Sequence, residues 1–386
     1  MRKILFLFFL IGIGFFLFIS LGKIKGNKNF HKDLVNPELP KKESKIKTLS
    51  SVKPSEENTP SASSSLSLKV VKVLPVAGQP EFVFVKDRFV YLASGYSGIQ
   101  IFDASQPEEA HLASSFDTPG YAEGVFVSGD FAYIADKDGG FSILDISDPK
   151  IPKLINRDKK ISAEGVFVKD GLAFLAYAWW GIKIFDVSNP TLPKLILERD
   201  LSDESEAVFV DRNYLFVAKA NWTRKDGKAK KGDLQIFDIS DPKNPKLIFT
   251  HFPSVGYAES VFVKDNLLFL AVDKAGFLIF DISNPKDPVL LSNFKTSGSV
   301  ESIFVSEKYA FLSDGKSGLK IVDISQPKNP KLISALSIPG FCERLFVSKN
   351  YVYLAVKENP SLVNINTKKQ NGYLYIVKFY PSQRED

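Results

Sequence analysis

Glu164-Gly-Val-Phe-Val168 decides the fold, because the chain repeats it seven times with small changes. The other copies are Glu81-Phe-Val-Phe-Val85, Glu123-Gly-Val-Phe-Val127, Glu206-Ala-Val-Phe-Val210, Glu259-Ser-Val-Phe-Val263, Glu301-Ser-Ile-Phe-Val305 and Glu343-Arg-Leu-Phe-Val347. They begin 42, 41, 42, 53, 42 and 42 residues apart. A fixed period of this size marks a repeat architecture and outranks any local assignment.

Each repeat reads as four strands. The Glu-x-aliphatic-Phe-Val segment is the first. A polar turn such as Lys169-Asp-Gly171 follows, then a nearly continuous apolar strand such as Leu172-Ala-Phe-Leu-Ala176. The third strand resembles Gly318-Leu-Lys-Ile-Val-Asp323, and the fourth is a Pro-Lys-Leu-Ile stretch. An unbroken apolar strand needs cover on both faces, which one sheet cannot give itself but stacked sheets can. The expected fold is therefore all-β, a seven-bladed β-propeller of four-stranded blades. The last repeat stops near Phe379 after its third strand, while Leu68–Leu74 is a spare fourth strand. This predicts closure by strand 68–74 joining the C-terminal blade, which leaves few open edges.

The third strand and its exit recur as Ile101-Phe-Asp103-Ala-Ser105-Gln-Pro107, Ile143 to Pro149, Ile184 to Pro190, Ile236 to Pro242, Ile279 to Pro285 and Ile321 to Pro327. With Leu319-Lys-Ile-Val-Asp323 as its clearest copy, this pattern resembles the LVIVD-repeat family over residues 68–379. The resemblance implies an exported or surface-associated propeller and carries over no catalytic residue. The seventh copy departs from the pattern, with Lys378 in place of the Asp.

The N-terminus reads differently. Arg2 and Lys3 precede an apolar run from Ile4 to Gly22, long enough for a bilayer core. Residues 1–22 are expected to be an uncleaved anchor with the amino terminus inside, the alternative being a signal segment cut near Ser20 or Gly22. Residues 23–66, rich in Lys, Ser, Pro and Glu, read as a flexible linker, and 67–386 as the propeller. Either reading exports the propeller: to the cell membrane as a single-pass protein, or as a secreted or periplasmic one. The net charge of +6 falls in residues 1–66, with 11 Lys+Arg against 5 Asp+Glu, and the remainder is balanced. No basic domain exists, so nucleic acid is excluded as a partner. One cysteine and three histidines argue against a disulfide framework, a thiolate cage or a Ser–His–Asp centre.

The Asp-x-Ser-x-Pro exits are expected to be local turns, with Asp and Ser accepting backbone N–H bonds on the face away from function. The glutamates Glu81, Glu123, Glu164, Glu206, Glu259, Glu301 and Glu343 each open an innermost strand and should gather at one channel mouth. Pointing inward they would hold a divalent cation or steer cationic groups; lying between blades they would be identical joints. The residues after them are mostly small, Phe82 and Arg344 excepted. No cofactor beyond such a cation is expected. The same face should collect Tyr96, Tyr121, Tyr177, Trp179, Trp180 and Tyr257. It should also receive the insertion Lys219–Gly232, with Trp222 and several lysines, and the loop Lys357–Gln370. Exposed aromatics beside a cationic loop suit an envelope protein or a glycan polymer. Asp136-Lys-Asp138-Gly139 is a weak half of a calcium loop. The functional expectation is a membrane-tethered, extracytoplasmic binding module rather than an enzyme. The rivals are a carboxylate-based hydrolase or lyase at the channel mouth and a purely structural envelope component.

Overall fold

The structure, a computed structural model, describes residues 66–201, 204–222, 229–253, 256–358 and 370–380. The apolar run 4–22 and the linker up to residue 65 lie outside them. Among the described residues no helix is long and apolar enough to cross a membrane.

The strands form seven four-stranded antiparallel sheets, numbered here as blades I–VII. Their innermost strands are Phe82–Lys86, Gly124–Ser128, Gly165–Lys169, Glu204–Asp211, Ser260–Lys264, Ser302–Ser306 and Phe341–Ser348. Blades I–VI run in simple sequence order from inside to outside. In blade VII the order outward is Phe341–Ser348, Tyr351–Lys357, Gln370–Tyr380 and Ser67–Ala77, with Ser67 opposite Tyr380 and Leu74 opposite Leu374. The longest interval between repeats is a hairpin extension. Strands two and three of blade IV lengthen to Tyr214–Trp222 and Ala229–Asp238 without disturbing the sheet order.

The local chemistry explains the hairpins. The first turn residue has a left-handed backbone in every blade: Asp87, Gly129, Asp170, Arg212, Asp265, Glu307 and Lys349 have φ between 49° and 56°. Such dihedrals match the twist of a two-residue hairpin. The apolar second strands are covered on both faces. In Leu172–Tyr177, Ala173 and Leu175 pack with Tyr133 and Phe141 of blade II, while Phe174 and Ala176 pack with Val208 and Leu215 of blade IV. A fully buried large apolar side chain contributes about 1.5–3 kcal/mol, and this interleaving supplies burial that a lone sheet lacks.

At the axis the repeated phenylalanines form a closed ring. Consecutive members, from Phe84 through Phe126, Phe167, Phe209, Phe262, Phe304 and Phe346 back to Phe84, have centroids 4.8–5.2 Å apart and planes tilted by 48–53°. The small residues after the glutamates have a steric cause. A Cβ on Gly124 would meet the carbonyl oxygen of Glu164 at 2.8 Å, and one on Gly165 that of Glu206 at 2.9 Å.

The Asp-x-Ser-x-Pro exits are the local turns expected. Oδ1 of Asp103, Asp145, Asp186, Asp238, Asp281 and Asp323 accepts the backbone N–H of the Ser two residues on, at 2.8–3.0 Å. The intervening residue donates its N–H to the first hairpin turn, as Ala104 does to Arg88 and Ile146 to Asp130. These turns therefore share the face of the first hairpins, opposite the glutamates. Lys378, which replaces the Asp in blade VII, instead lies 3.3 Å from Glu108 Oε1.

Candidate functional site: an acidic channel mouth

A cavity of about 360 Å³ occupies the channel where the innermost strands begin. Glu81, Glu123, Glu164, Glu206 and Glu343 line it together with Arg344 and all seven ring phenylalanines. It thus joins an acidic rim to an aromatic wall. The loop between strands two and three of each blade reaches the same face. Gly95, Lys137, Asp273 and Gly315 bridge to Ala122, Ala163, Val300 and Cys342, each the residue just before a ring glutamate of the next blade.

That loop position breaks the symmetry of the ring. It is left-handed in blades I, II, III, V and VI, with φ of 55° at Gly95, 35° at Lys137, 33° at Ala178, 40° at Asp273 and 53° at Gly315. Residues other than glycine stand there in blades II, III and V, namely Lys137, Ala178 and Asp273, and two of them are charged. Lys137 Nζ lies 2.5 Å from Glu123 Oε2 and 3.8 Å from Glu164 Oε1. One period beyond Gly315, Lys357 Nζ lies 2.6 Å from both Glu81 Oε2 and Glu343 Oε1. In blade V the position adds an acid: the Ser299 hydroxyl sits 2.5 Å from Asp273 Oδ1 and 2.6 Å from Glu301 Oε1. Arg344 reaches along the rim to the two preceding blades, donating from Nη1 to the Glu301 backbone carbonyl at 2.5 Å and from Nη2 to that of Glu259 at 3.5 Å.

The glutamates are consequently unequal. Glu81 and Glu343 share an ammonium, and the Tyr121 hydroxyl also donates to Glu81. Around the rest of the rim acids outnumber bases. Burial, then repulsion from Glu81, pushes the Glu123 carboxyl up to about 7. Burial, then Glu343, does the same to Glu301, also to about 7. Glu164 and Glu259 are held well above the carboxylate range by burial and then by Glu206 and Glu301 respectively. The acids act on the bases in turn. Burial opposes the charges of Lys137, Lys357 and Arg344, but the surrounding carboxylates outweigh it and raise all three. Lys137 and Lys357 tie two of the gaps, and in the arc from Glu164 to Glu301 carboxyl groups outnumber cations.

The aromatic candidates separate. Trp179 and Trp180, in a short 3-10 turn (Ala178–Trp180), are 38% and 46% exposed, and Tyr96 is 41% exposed with its ring edge-on to Tyr121 at 5.0 Å. Tyr177 belongs to the core instead: it is buried beneath the Lys183 ammonium, 4.3 Å from its ring centroid. Tyr257 is partly buried near Glu259, whose charge, after burial, raises its hydroxyl pKa. The backbone of Trp222 pairs with Ala229, while its side chain, residues 223–228 and residues 359–369 lie outside the described part. Lys219 is not a loop cation. It is buried, 3.5 Å from Asp233 and bonded to the Leu201 carbonyl, and it roots the extended hairpin. Asp136 and Asp138, the half calcium loop of the sequence, accept hydrogen bonds from protein donors. Asp136 accepts from the Thr118 hydroxyl at 2.6 Å and the Gly120 N–H at 3.1 Å, and Asp138 from the Tyr121 N–H at 3.2 Å.

Sequence reading missed Glu204. Its carboxylate meets those of Glu164 and Glu206, with one oxygen of each inside a 4.8 Å span. The signal was present as the extra acid two residues before a ring glutamate, in Glu204-Ser-Glu206. Lys137 and Lys357 stand at the same offset of the period as Gly95, Asp273 and Gly315, but their contacts with the glutamates emerge only in the fold.

Solved structures agree on the architecture. The chain is similar to the computationally designed Ika8 protein (TM-score 0.53, 10% identity, 79% of this chain and all of that one). It is also similar to the β-propeller domain of Cps50 (Swd1) from Myceliophteria thermophila (TM-score 0.60, 12% identity, 81% of this chain and 99% of that one). At such identities the likeness concerns fold alone. No curated protein matches the sequence. The LVIVD repeat model matches residues 119–157, 162–200, 228–251, 255–296 and 297–337, which fall in blades II–VI of the propeller described above. The chain is thus a seven-bladed β-propeller that carries LVIVD repeats across residues 119–337.

Proposed function

We propose that the protein is a binding module that takes a positively charged group of an envelope protein into the mouth of its channel. Residues 4–22 would tether it to the membrane, with the propeller outside the cytoplasm and strand Ser67–Ala77 latching the two ends of the chain together. The observation that carries this reading is the excess of carboxylates over cations on the rim of a cavity walled by phenylalanine. An ammonium or guanidinium group entering there meets negative charge at the rim and aromatic faces below, each aromatic contact contributing about 0.5–2 kcal/mol. Trp179, Trp180 and Tyr96, exposed on the same side, would hold the apolar stem of the entering group.

Fluorescence anisotropy of a labelled lysine-rich peptide tests the idea. Binding should weaken steeply with salt and fall roughly tenfold or more in the Glu206→Gln/Glu343→Gln protein, which loses two of the acids lining the cavity. The Trp179→Ala/Trp180→Ala protein should also bind more weakly. A neutral glycan, the alternative partner, would bind through the tryptophans without salt dependence, and that result would overturn the cationic reading. The unequal glutamates also favour a second reading, a carboxylate-based hydrolase or lyase, because acid and base need carboxyls of different pKa. Turnover of a glycan or lactone panel, lost in Glu343→Gln, would support it.

A further inference from the structure

We propose that Glu164, Glu204 and Glu206 form a binding site for a hard divalent cation at the seam between blades III and IV. This goes beyond the partner reading and does not depend on it. The three carboxylates come from two innermost strands and converge within 4.8 Å, the spacing of ligands around one ion. Glu164 opens the inner strand of blade III. Glu204 and Glu206 lie on the inner strand of blade IV, which is eight residues long instead of the five in blades I, II, III, V and VI. The pairing register shifts between Ser205 and Ala207, so Glu206 stands unopposed in the ladder. Such a bulge re-aims a side chain, here beside Glu204.

A cluster of acids alone would be unremarkable, but Glu164 points to a ligand independently. It is 9% exposed, and no N–H or hydroxyl group donates to its buried Oε2, which leaves only the neighbouring carboxyls of Glu204 and Glu206 for it to bond. The ammonium nearest to it, Lys137, stands 3.8 Å from the other oxygen and is committed to Glu123 at 2.5 Å. Glu204 is buried to the same degree. A buried carboxylate without a donor costs several kcal/mol, roughly, unless protonation or a cation relieves it. All donors here are carboxylate oxygens, with no sulfur or imidazole, which selects Ca²⁺, Mg²⁺ or Mn²⁺ over softer metals. The site also abuts the exposed aromatics, since the 3-10 turn Ala178–Trp180 packs against strand Glu204–Asp211. A bound ion would stiffen the base of that patch.

Calorimetric titration of the chelator-stripped full-length chain in detergent, with CaCl2, MgCl2 and MnCl2 in turn, tests the site. The expected result is one ion per chain for at least one of the three, with a rise in Tm on binding. Glu204→Gln and Glu164→Gln should each weaken that binding about tenfold or more. In EDTA both variants should melt higher than wild type, because each removes a repelling charge, and neither should gain stability from the ion. A variant that merely misfolded would melt lower in EDTA. Failure of all three salts to bind wild type below millimolar concentration would overturn the proposal, as would wild-type affinity in both variants.

Discussion

Phe84 lies against Phe346 with ring centroids 5.0 Å apart and planes at 51°, although one belongs to the first blade and the other to the last. The contact has the same geometry as the six between consecutive blades, so the ring has no seam at this level. Each phenylalanine touches one ring on either side, and the seven should be energetically alike. Phe126→Ala and Phe304→Ala are each expected to cost about 2–4 kcal/mol, with lost aromatic pairing added to lost burial. Urea denaturation checks this. A cost below about 0.5 kcal/mol at either position would mean that the ring does not stabilise the axis.

Lys357 joins the last blade to the first through Glu81 and Glu343. Replacing it by Met leaves two carboxylates facing each other without an ammonium. The expected destabilisation at pH 7 is about 3 kcal/mol, the usual penalty for breaking a buried pair from one side. Lys357→Met/Glu343→Gln should recover a large part of it. Equal stability of the single and double variants would show that the lysine is not a joint.

Stability should pass through a maximum in mildly acidic solution. Glu123 and Glu301 titrate near 7 in the folded protein against an ordinary 4.5, because burial and then neighbouring glutamates disfavour their charge. A carboxyl with a raised pKa contributes stability that is complete below its unfolded pKa and is lost as pH rises through the folded one. Melting in EDTA should therefore rise as pH falls from 8 towards 5. His251 acts in the opposite sense: burial lowers its imidazole from 6.5 to about 4, so the unfolded chain takes up the proton first and stability falls across that window. The turn aspartates add to the loss at lower pH, since hydrogen bonds from the following serines lower Asp103, Asp145 and Asp186. Scanning calorimetry across pH checks the sum. A Tm that climbs steadily from pH 5 to 8 would contradict the acidic-mouth electrostatics.

Crowding of the inner strands gives a steric prediction. Gly165→Val should destabilise by about 1–3 kcal/mol, because its side chain would meet the Glu206 carbonyl. An unaffected Gly165→Val protein would mean that the small residues have another cause.

The repeat made the blades legible because a period is a global constraint that local ambiguity does not blur. Its strands, hairpins and Asp-x-Ser turns follow from residue chemistry at fixed offsets, and the structure has them there. Tyr177 was misleading because exposure depends on which neighbour a ring meets, in this case Lys183. Lys219 looked like part of a cationic loop, yet its partner Asp233 lies across the hairpin and buries both. The charge imbalance of the mouth was half visible. The seven glutamates announce themselves, but Lys137, Lys357 and Asp273 acquire meaning only once strand-two loops are seen to land on the next blade. Glu204 needed the bulge at Glu206 to matter, and a bulge leaves no mark in hydrophobic alternation.

A crystal structure of the wild-type protein soaked with the lysine-rich peptide tests the binding claim most directly. The account predicts density for a side-chain cation inside the rim of glutamates, above the phenylalanine ring. Peptide seated on the opposite face among the Asp-x-Ser turns, or an empty mouth at saturating peptide, would contradict it.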